Sequence, residues 1–377
     1  MKKLLTIIGA RPQIIKAAAI SRAVKNMFAD QVEEHILHTG QHYDTNMSEV
    51  FFRELGIPEP EYNLHVGSGS HGMQTARIIE GIETVLTDTH YDGVVVYGDT
   101  NSTLAAAVAA SKIHVPVFHI EAGLRSFNMA MPEEINRIVC DQLSSVLFTP
   151  TQTGLKNLEK EGFLGTKSRI RFADGRRQKV VLSGDVMYDN SVFFSSMADI
   201  QSDIIERLGL RYRRFVLATI HRSANTDIPD NLKSILHALS DIAEQHQTDV
   251  VLPLHPRTRK KIADFGLEID NLRLKVIEPA SFFEIIRLEK NAAIVMTDSG
   301  GVQKEAFFYG TPCVILRPET EWVEIVDAGA GMLADADYQR IIEAYNQLVM
   351  REVYFPPLFG DGHASEKILG EIINYLK

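Results

Sequence analysis

Cysteine is nearly absent from this 377-residue chain. Only Cys140 and Cys313 occur, far apart, and neither belongs to a CxxC pair or a Cys/His cluster of zinc-binding spacing. Two isolated thiols fit a reduced cytoplasm. Basic residues are outnumbered 39 to 49, giving a formal net charge of −10. That balance excludes general binding to nucleic acid or anionic membrane and leaves room only for a local basic pocket. Long apolar runs are missing too. The amino-terminal MKKLLTIIGARP carries two lysines and a short apolar stretch, but the stretch stops at Gly9. It is too short for the apolar region of a signal or a bilayer span, and reads as a first buried strand. No solenoid-type repeat is visible.

What is present is an ordinary globular composition, 45% hydrophobic and 23% charged, at a length that predicts two domains. In the first half LLTIIG, EEHILHTG, GVVVYGD and VPVFHIE alternate with helical patterns from about Gln13 to Phe28, around Met47 to Leu55, around Met73 to Leu86 and from Ser102 to Ile113. Near-continuous apolar strands separated by helices imply an α/β fold with a parallel sheet covered on both faces. The pattern restarts with RFVLATIHR, DVVLPLHPR, LKVIEP, AAIVMTDSGG and PCVILRP. Two Rossmann-like, doubly wound domains are expected, 1–180 and 181–363, with ligands in a cleft at the carboxyl ends of their strands. Between them GTKSRIRFADGRRQK at 165–179 holds six basic residues, one acid and two glycines, and reads as a solvated loop or hairpin.

Four signals fall at strand ends. In TIIGARPQIIK a strand breaks at Gly9, and Arg11 and Lys16 stand beside a helix start, where backbone donors and cations suit a phosphate. In VVVYGDTNSTLAAAVAASK, Asp99 follows the strand, yet Asp, Thr, Asn and Ser there also describe a capped helix. In IVMTDSGGVQKEAFFYGTPCV the strand delivers Asp298, after which Ser299, Gly300 and Gly301 open a helix. Small residues there let a pyrophosphate approach the N–H groups, and Glu305 lies about one turn further on, in reach of ribose hydroxyls. The fourth signal is the set His221-Arg222, His255, Arg257 and Arg317 to Glu324. HIEAGLRSFNMAMPEEINR then puts Glu121 at a strand end and Pro132, Glu133 and Glu134 in a first helical turn. A functional carboxylate and a helix start are both compatible with it.

Together GARPQIIK, YGDTNSTLA, HIEAGLRS, MPEEINR, TIHRSAN, LHPRTR, TDSGGVQKEA and FGDGHASEKI resemble, in order and over nearly the whole chain, the non-hydrolysing UDP-N-acetylglucosamine 2-epimerase family. The resemblance implies a GT-B type fold with the carboxyl-terminal helix, about 364–377, returning to the first domain. It implies inversion at C2 of a UDP-2-acetamido sugar, by elimination of UDP to a bound 2-acetamidoglucal and its readdition, in surface polysaccharide precursor synthesis. No cofactor is implied, neither metal nor nicotinamide. Carried over, Asp99, Glu121 and Glu133 match the essential acids and His221 the active-site histidine. Arg11, Lys16 and Arg137 match the cationic residues, Ser299, Gly300 and Gly301 the diphosphate loop, and Glu305 the ribose contact. A cytoplasmic homodimer is implied, with a UDP-sugar substrate and neither nucleic acid nor membrane as partner.

Departures from the pattern point within the family. Gln13 replaces an acid common after Arg-Pro, and Thr320-Glu321-Trp322-Val323-Glu324 stands where many members read TERPE. With GQHYD and NMSEVFF, these resemble the branch acting on UDP-2,3-diacetamido-2,3-dideoxy-glucuronate, whose extra carboxylate would favour loss of a neighbouring acid. Around Gln41-His42 and His71 to Arg77 the chain departs from members activated by a second substrate molecule. A GT-B glycosyltransferase, a hydrolysing epimerase and a catalytically dead nucleotide-sugar sensor are the competing readings. The presence of all three acids favours catalysis.

Overall fold

The computed structural model of the chain describes residues 1–41, 56–164, 172 and 175–377. The helix expected around Met47 to Leu55 and the segments beginning His42-Tyr43-Asp44 and at Asn46 lie outside the described residues. Two compact units emerge, one of Met1–Asn190 with Pro357–Lys377 and one of Ser191–Pro356.

The first unit holds a seven-stranded parallel sheet built from β1 (Lys2–Ile8), β2 (Val32–His38), β3 (Tyr62–Asn63), β4 (Gly93–Tyr97), β5 (Val117–Ile120), β6 (Val146–Thr149) and β7 (Lys179–Leu182). Their spatial order is β3-β2-β1-β4-β5-β6-β7. All five residues of β4 and all four of β5 are buried, as expected of strands covered on both faces. The helices are α1 (Arg11–Ala23), α2 (His71–Asp88), α3 (Asn101–Lys112), α4 (Pro132–Leu143) and α5 (Gln152–Lys160). The helix expected to reach Phe28 is α-helical only to Ala23, and its last turn, Val24–Phe28, widens to a π-helix. In α3 the alanines at 105, 106, 107, 109 and 110 are fully buried, so the helix lies close on the sheet.

The second unit repeats the plan. Its strands are β8 (Phe215–Thr219), β9 (Asp249–Pro253), β10 (Lys275–Ile277), β11 (Ile294–Thr297), β12 (Cys313–Ile315) and β13 (Gly331–Leu333), all parallel in the order β10-β9-β8-β11-β12-β13. The two doubly wound parallel sheets agree with the fold class expected from sequence. Strands β3, β6, β7 and β13 were not expected. The first has two residues, the last three, and β6 is a four-residue VLFT run pressed between Ser145 and Pro150.

In each sheet the strand order reverses once, between β1 and β4 in one unit and between β8 and β11 in the other. Connections leave such neighbouring strands toward opposite faces, so a crevice opens beyond their carboxyl ends, where doubly wound sheets bind ligands. The remaining helices include α6 (Val186–Gln201), which contains the division between the units, and α7 (Ile204–Arg207). Then come α8 (Ser223–Thr226), α9 (Pro229–Gln245), α10 (Pro256–Asp264), α11 (Phe282–Asn291), α12 (Gly300–Phe308), α13 (Val323–Asp327), α14 (Tyr338–Val349) and α15 (Ala364–Leu376).

The carboxyl-terminal α15 packs in the first unit. Its amino end is capped by Asp189, whose carboxylate accepts from Ala364 N, Ser365 N and Ser365 Oγ at 3.0, 2.7 and 2.7 Å. Free N–H groups at a buried helix start need such an acceptor, and here two of them and a hydroxyl find one. The end of the basic stretch acts on the same helix. Arg176 stacks on the Tyr375 ring at 4.0 Å and donates to its carbonyl, and Lys179 pairs with Glu371 at 2.5 Å. Residues 165–171, 173 and 174 of that stretch lie outside the described residues. Among the described residues, no helix is long and apolar enough to cross a membrane.

Candidate active site

At the first unit's switch point, β1 ends in Gly9. A side chain there would collide with Ser102 Oγ and Thr39 Oγ1, so the close approach of this loop to α3 requires glycine. The turn is held by Gln13, fully buried, whose Oε1 accepts from Gly9 N and Ala10 N at 2.9 and 3.2 Å. Its Nε2 donates to Tyr97 O and Thr103 Oγ1, each at 3.0 Å. A carboxylate could not make the last two bonds as donor. Gln13 therefore braces the loop, whatever its absence of charge does for a ligand. Arg11 is exposed at the first position of α1, and Lys16 lies five residues on in the same helix.

Beyond β4, Gly98 turns with φ of +62°, and Asp99 follows. Asp99 forms an ion pair with buried Arg137 of α4, and Lys16 pairs with Glu121, which follows β5. The Lys16–Glu121 pair lies directly over Gly98: a Cβ there would sit 3.2 Å from both Glu121 Oε2 and Lys16 Nζ. Burial pushes the Asp99 carboxyl up from its ordinary value, and Glu121 and Glu133 push the same way, against Arg137 and Lys16. Two cations and three carboxylates thus share one field, and Asp99 holds its proton more tightly than a surface aspartate. A third of the Asp99 side chain is exposed, against 9% for Glu121.

The scaffold under these acids is ionic and buried. His119 of β5 faces Asp141 Oδ1 with Nδ1 at 2.7 Å and the Gly98 carbonyl with Nε2 at 2.8 Å. Burial opposes a charge on this ring, but Cys140 and Asp141 outweigh it and raise its pKa. With an acceptor at each nitrogen, the doubly protonated ring donates twice and fixes the turn that carries Asp99. Asp141 also meets Arg125 at 2.8 Å. Glu121 takes a left-handed backbone, φ +72°, which costs a non-glycine residue of order 1–3 kcal/mol. In the loop that follows, Glu134 accepts from Ser126 N, Ser126 Oγ and Phe127 N at 2.9 to 3.0 Å. Glu133, its neighbour, stays exposed.

At the second unit's switch point, Asp298 is fully buried beyond β11 and gathers the loop after β8. It accepts from the backbone N–H of His221 and of Arg222 and from Asn225 Nδ2, at 3.0 to 3.2 Å, and lies 3.0 Å from His221 Nδ1. Burial alone would raise its carboxyl; the His221 contact, with the donors from Arg222 and Asn225, holds it below the ordinary value. The His221 ring is half exposed, so Asp298 orients a ring whose other edge is open. Ser299 caps α12 by accepting from Val302 N.

Gly300 and Gly301 are not forced by the protein. Neither has a positive φ, and a Cβ at either would meet protein atoms only at 3.5 Å or more. The helix N-terminus beside them is open, as a ligand carrying a diphosphate requires. Glu305 lies on α12 one turn in, and its charge reaches Glu289 of α11. Glu289 is fully buried, neither carboxylate oxygen has a hydrogen-bond partner, and burial first and Glu305 second push its pKa well up.

The fourth sequence signal divides. His221 joins the switch-point cluster, whereas His255 caps α10 by accepting from Arg257 N at 3.2 Å, and Arg257 pairs with Asp227 at 2.7 Å. Arg317 is bidentate to Glu321, at 2.9 and 3.1 Å, and Glu321 belongs to the segment Thr320 to Glu324. Sequence reasoning passed over His119, Asp141, Gln13 as a brace and Glu289. Histidine within the buried VFHI run was the available signal, since a buried imidazole needs partners.

A family model described as UDP-N-acetylglucosamine 2-epimerase matches residues 25–373. A UDP-2,3-diacetamido-2,3-dideoxy-D-glucuronate 2-epimerase of Pseudomonas aeruginosa is 48% identical over 367 residues, 97% of this chain and 98% of that protein. A UDP-N-acetylglucosamine 2-epimerase of Methanocaldococcus jannaschii is 39% identical over 381 residues, covering all of both. The crystal structure of the Methanocaldococcus jannaschii enzyme with UDP-GlcNAc and UDP matches with TM-score 0.84 and 38% identity, over 99% of each chain. The structure of Phytolacca americana UGT2 complexed with UDP-2fluoro-glucose and pterostilbene, 11% identical with TM-score 0.57, shares the fold alone.

Proposed function

The chain belongs to the UDP-N-acetylglucosamine 2-epimerase family, and we infer that it is an isomerase that inverts C2 of a UDP-sugar by eliminating and re-adding UDP. In the forward half a base takes the C2 proton while the C1–O bond to UDP breaks, leaving a 2-acetamidoglucal. In the return half UDP re-bonds to C1 and a proton is delivered to C2 from the other face. Two faces call for two proton-handling groups. The observation that carries this assignment is the cluster Asp99–Arg137 and Glu121–Lys16 at one switch point, with Glu133 in its field.

We assign the proton transfers to Glu121 and Glu133, with Asp99, its pKa raised, orienting the site or sharing the proton. Arg11, Lys16 and Arg137 supply positive charge, and His221 with Ser299, Gly300 and Gly301 stabilises the departing diphosphate. Glu305 takes the ribose. Replacing Glu121 by Gln keeps shape and removes the base. C2 exchange should vanish while UDP binding, measured by calorimetry, stays within about threefold. Exchange retained in that variant removes Glu121 from the chemistry.

For the sugar, a UDP-2-acetamido hexose of the UDP-GlcNAc to UDP-ManNAc type is the first substrate to test. The 48% identity to the Pseudomonas aeruginosa enzyme favours a second reading, the diacetamido uronic acid sugar. Turnover of each, compared as kcat/KM under one condition, decides between them. The working unit is proposed to be a cytoplasmic homodimer, and light scattering of the purified chain tests the stoichiometry.

A further inference from the structure

The second unit has a large recess at the end of its sheet opposite the diphosphate loop. It occupies about 1110 Å³ and is lined by residues just before or at the start of four strands, among them Arg213, Asp249, Lys275 and Ala293. In a chain of net charge −10 its wall is strongly basic: Arg211, Arg213, Arg214, Arg273 and Lys275 against the single acid Asp249.

Cations at this end of an α/β sheet have an ordinary use, which is to meet carbonyls at the carboxyl ends of preceding helices. Two of the five do so. Arg213 donates to Ala292 O, Tyr309 O and Thr311 Oγ1 at 2.7 to 3.0 Å, and Lys275 donates to Leu208 O at 2.8 Å and sits 3.5 Å from Asp249. The others do not. Among the described residues the exposed Arg211 and Arg214 guanidinium groups have no partner, and Arg273 bonds only the neutral Gln247 side chain, at 3.1 Å. Arg213 takes a left-handed backbone, φ +54°, and its three anchoring bonds hold it there. This clamped residue lies between the two unpaired arginines in sequence. The recess also has a ring: His246 lies edge-on against buried Tyr345 with centroids 4.7 Å apart.

We propose that this recess is a second ligand site, distinct from the epimerisation site, for a nucleotide-sized polyanion whose phosphates meet Arg211, Arg214 and Arg273 and whose planar part lies against His246. A concave site of this volume fits a small ligand, and the overall acidity of the chain works against a long polyanion.

The test is calorimetric titration of the full chain, saturated with UDP to occupy the diphosphate loop, with inorganic tripolyphosphate and separately with ATP. Saturable binding of both is expected, tighter for ATP, and weakened about tenfold or more when Arg211→Ala and Arg214→Ala are combined, since each substitution removes a charge-assisted contact. Both arginines are exposed, so an unchanged melting temperature should accompany the loss. Absence of saturable binding at millimolar concentrations, or equal affinity in the double variant, overturns the proposal. Singly substituted Arg273→Gln, which removes the charge and keeps an amide, should weaken tripolyphosphate and ATP alike.

Discussion

Gly301 separates what the protein needs from what a ligand needs. Its backbone is not left-handed and its Cβ position is clear of protein atoms, so alanine fits there and suits a first helical turn better. Gly301→Ala should raise stability by about 0.5 to 1 kcal/mol through the unfolded chain, yet weaken UDP binding by crowding the diphosphate. Thermal melting and calorimetry of one variant read both signs; unchanged UDP affinity would remove the loop from the diphosphate site. Glu289 gives a second residue-scale expectation. Its folded pKa lies well above 4.5, so from that pH upward the native chain keeps a proton that the unfolded chain has lost. Stability contributed by this group therefore falls as pH rises toward the folded value. Glu289→Gln should remove that slope, so the gap in melting temperature between variant and parent should widen from pH 5 to pH 8. A constant gap would contradict it. Glycines 300 and 301 were legible in the sequence because small residues at a strand-to-helix junction carry a physical reason. Glu289 was not, since a glutamate in a helix reads as exposed until the fold buries it.

Elements with a clear period were legible, and their ends were less so. LLTIIG, GVVVYGD and AAIVMTDSGG read as buried strands because both faces are covered. Runs of two to four residues such as Tyr62–Asn63 and Gly331–Leu333 have no period to read, and only pairing with a neighbour makes them strands. The basic stretch shows the same limit. Its charges read as solvated, but Arg176 and Lys179 find Tyr375 and Glu371 of α15 across almost two hundred residues of sequence. The cap on that helix is a further long-range tie. Asp189→Ala strands three buried donors at Ala364 and Ser365, and should lower unfolding free energy by about 1 to 3 kcal/mol, measured by urea denaturation. A loss under about 0.3 kcal/mol would mean that water replaces the carboxylate.

At the scale of the whole molecule the order of the first six strands of one sheet recurs in the other, and each sheet brings charged side chains to its own switch point. The first unit gathers the carboxylates and their cations; the second gathers Asp298, His221 and the open end of α12. That division was largely visible beforehand, because strand-end residues and apolar runs are local features. The ionic support behind Asp99, running through His119, Asp141 and Arg125, was not, because it joins residues from three separate segments. The central claim is proton removal at C2 of a UDP-sugar, and proton NMR in D2O reads it directly. With UDP-GlcNAc, and then with the diacetamido uronic acid sugar, the account predicts a new manno epimer carrying solvent deuterium at C2, without accumulation of free sugar. Epimer formed with the C2 proton retained, or release of UDP and free sugar as products, would contradict it.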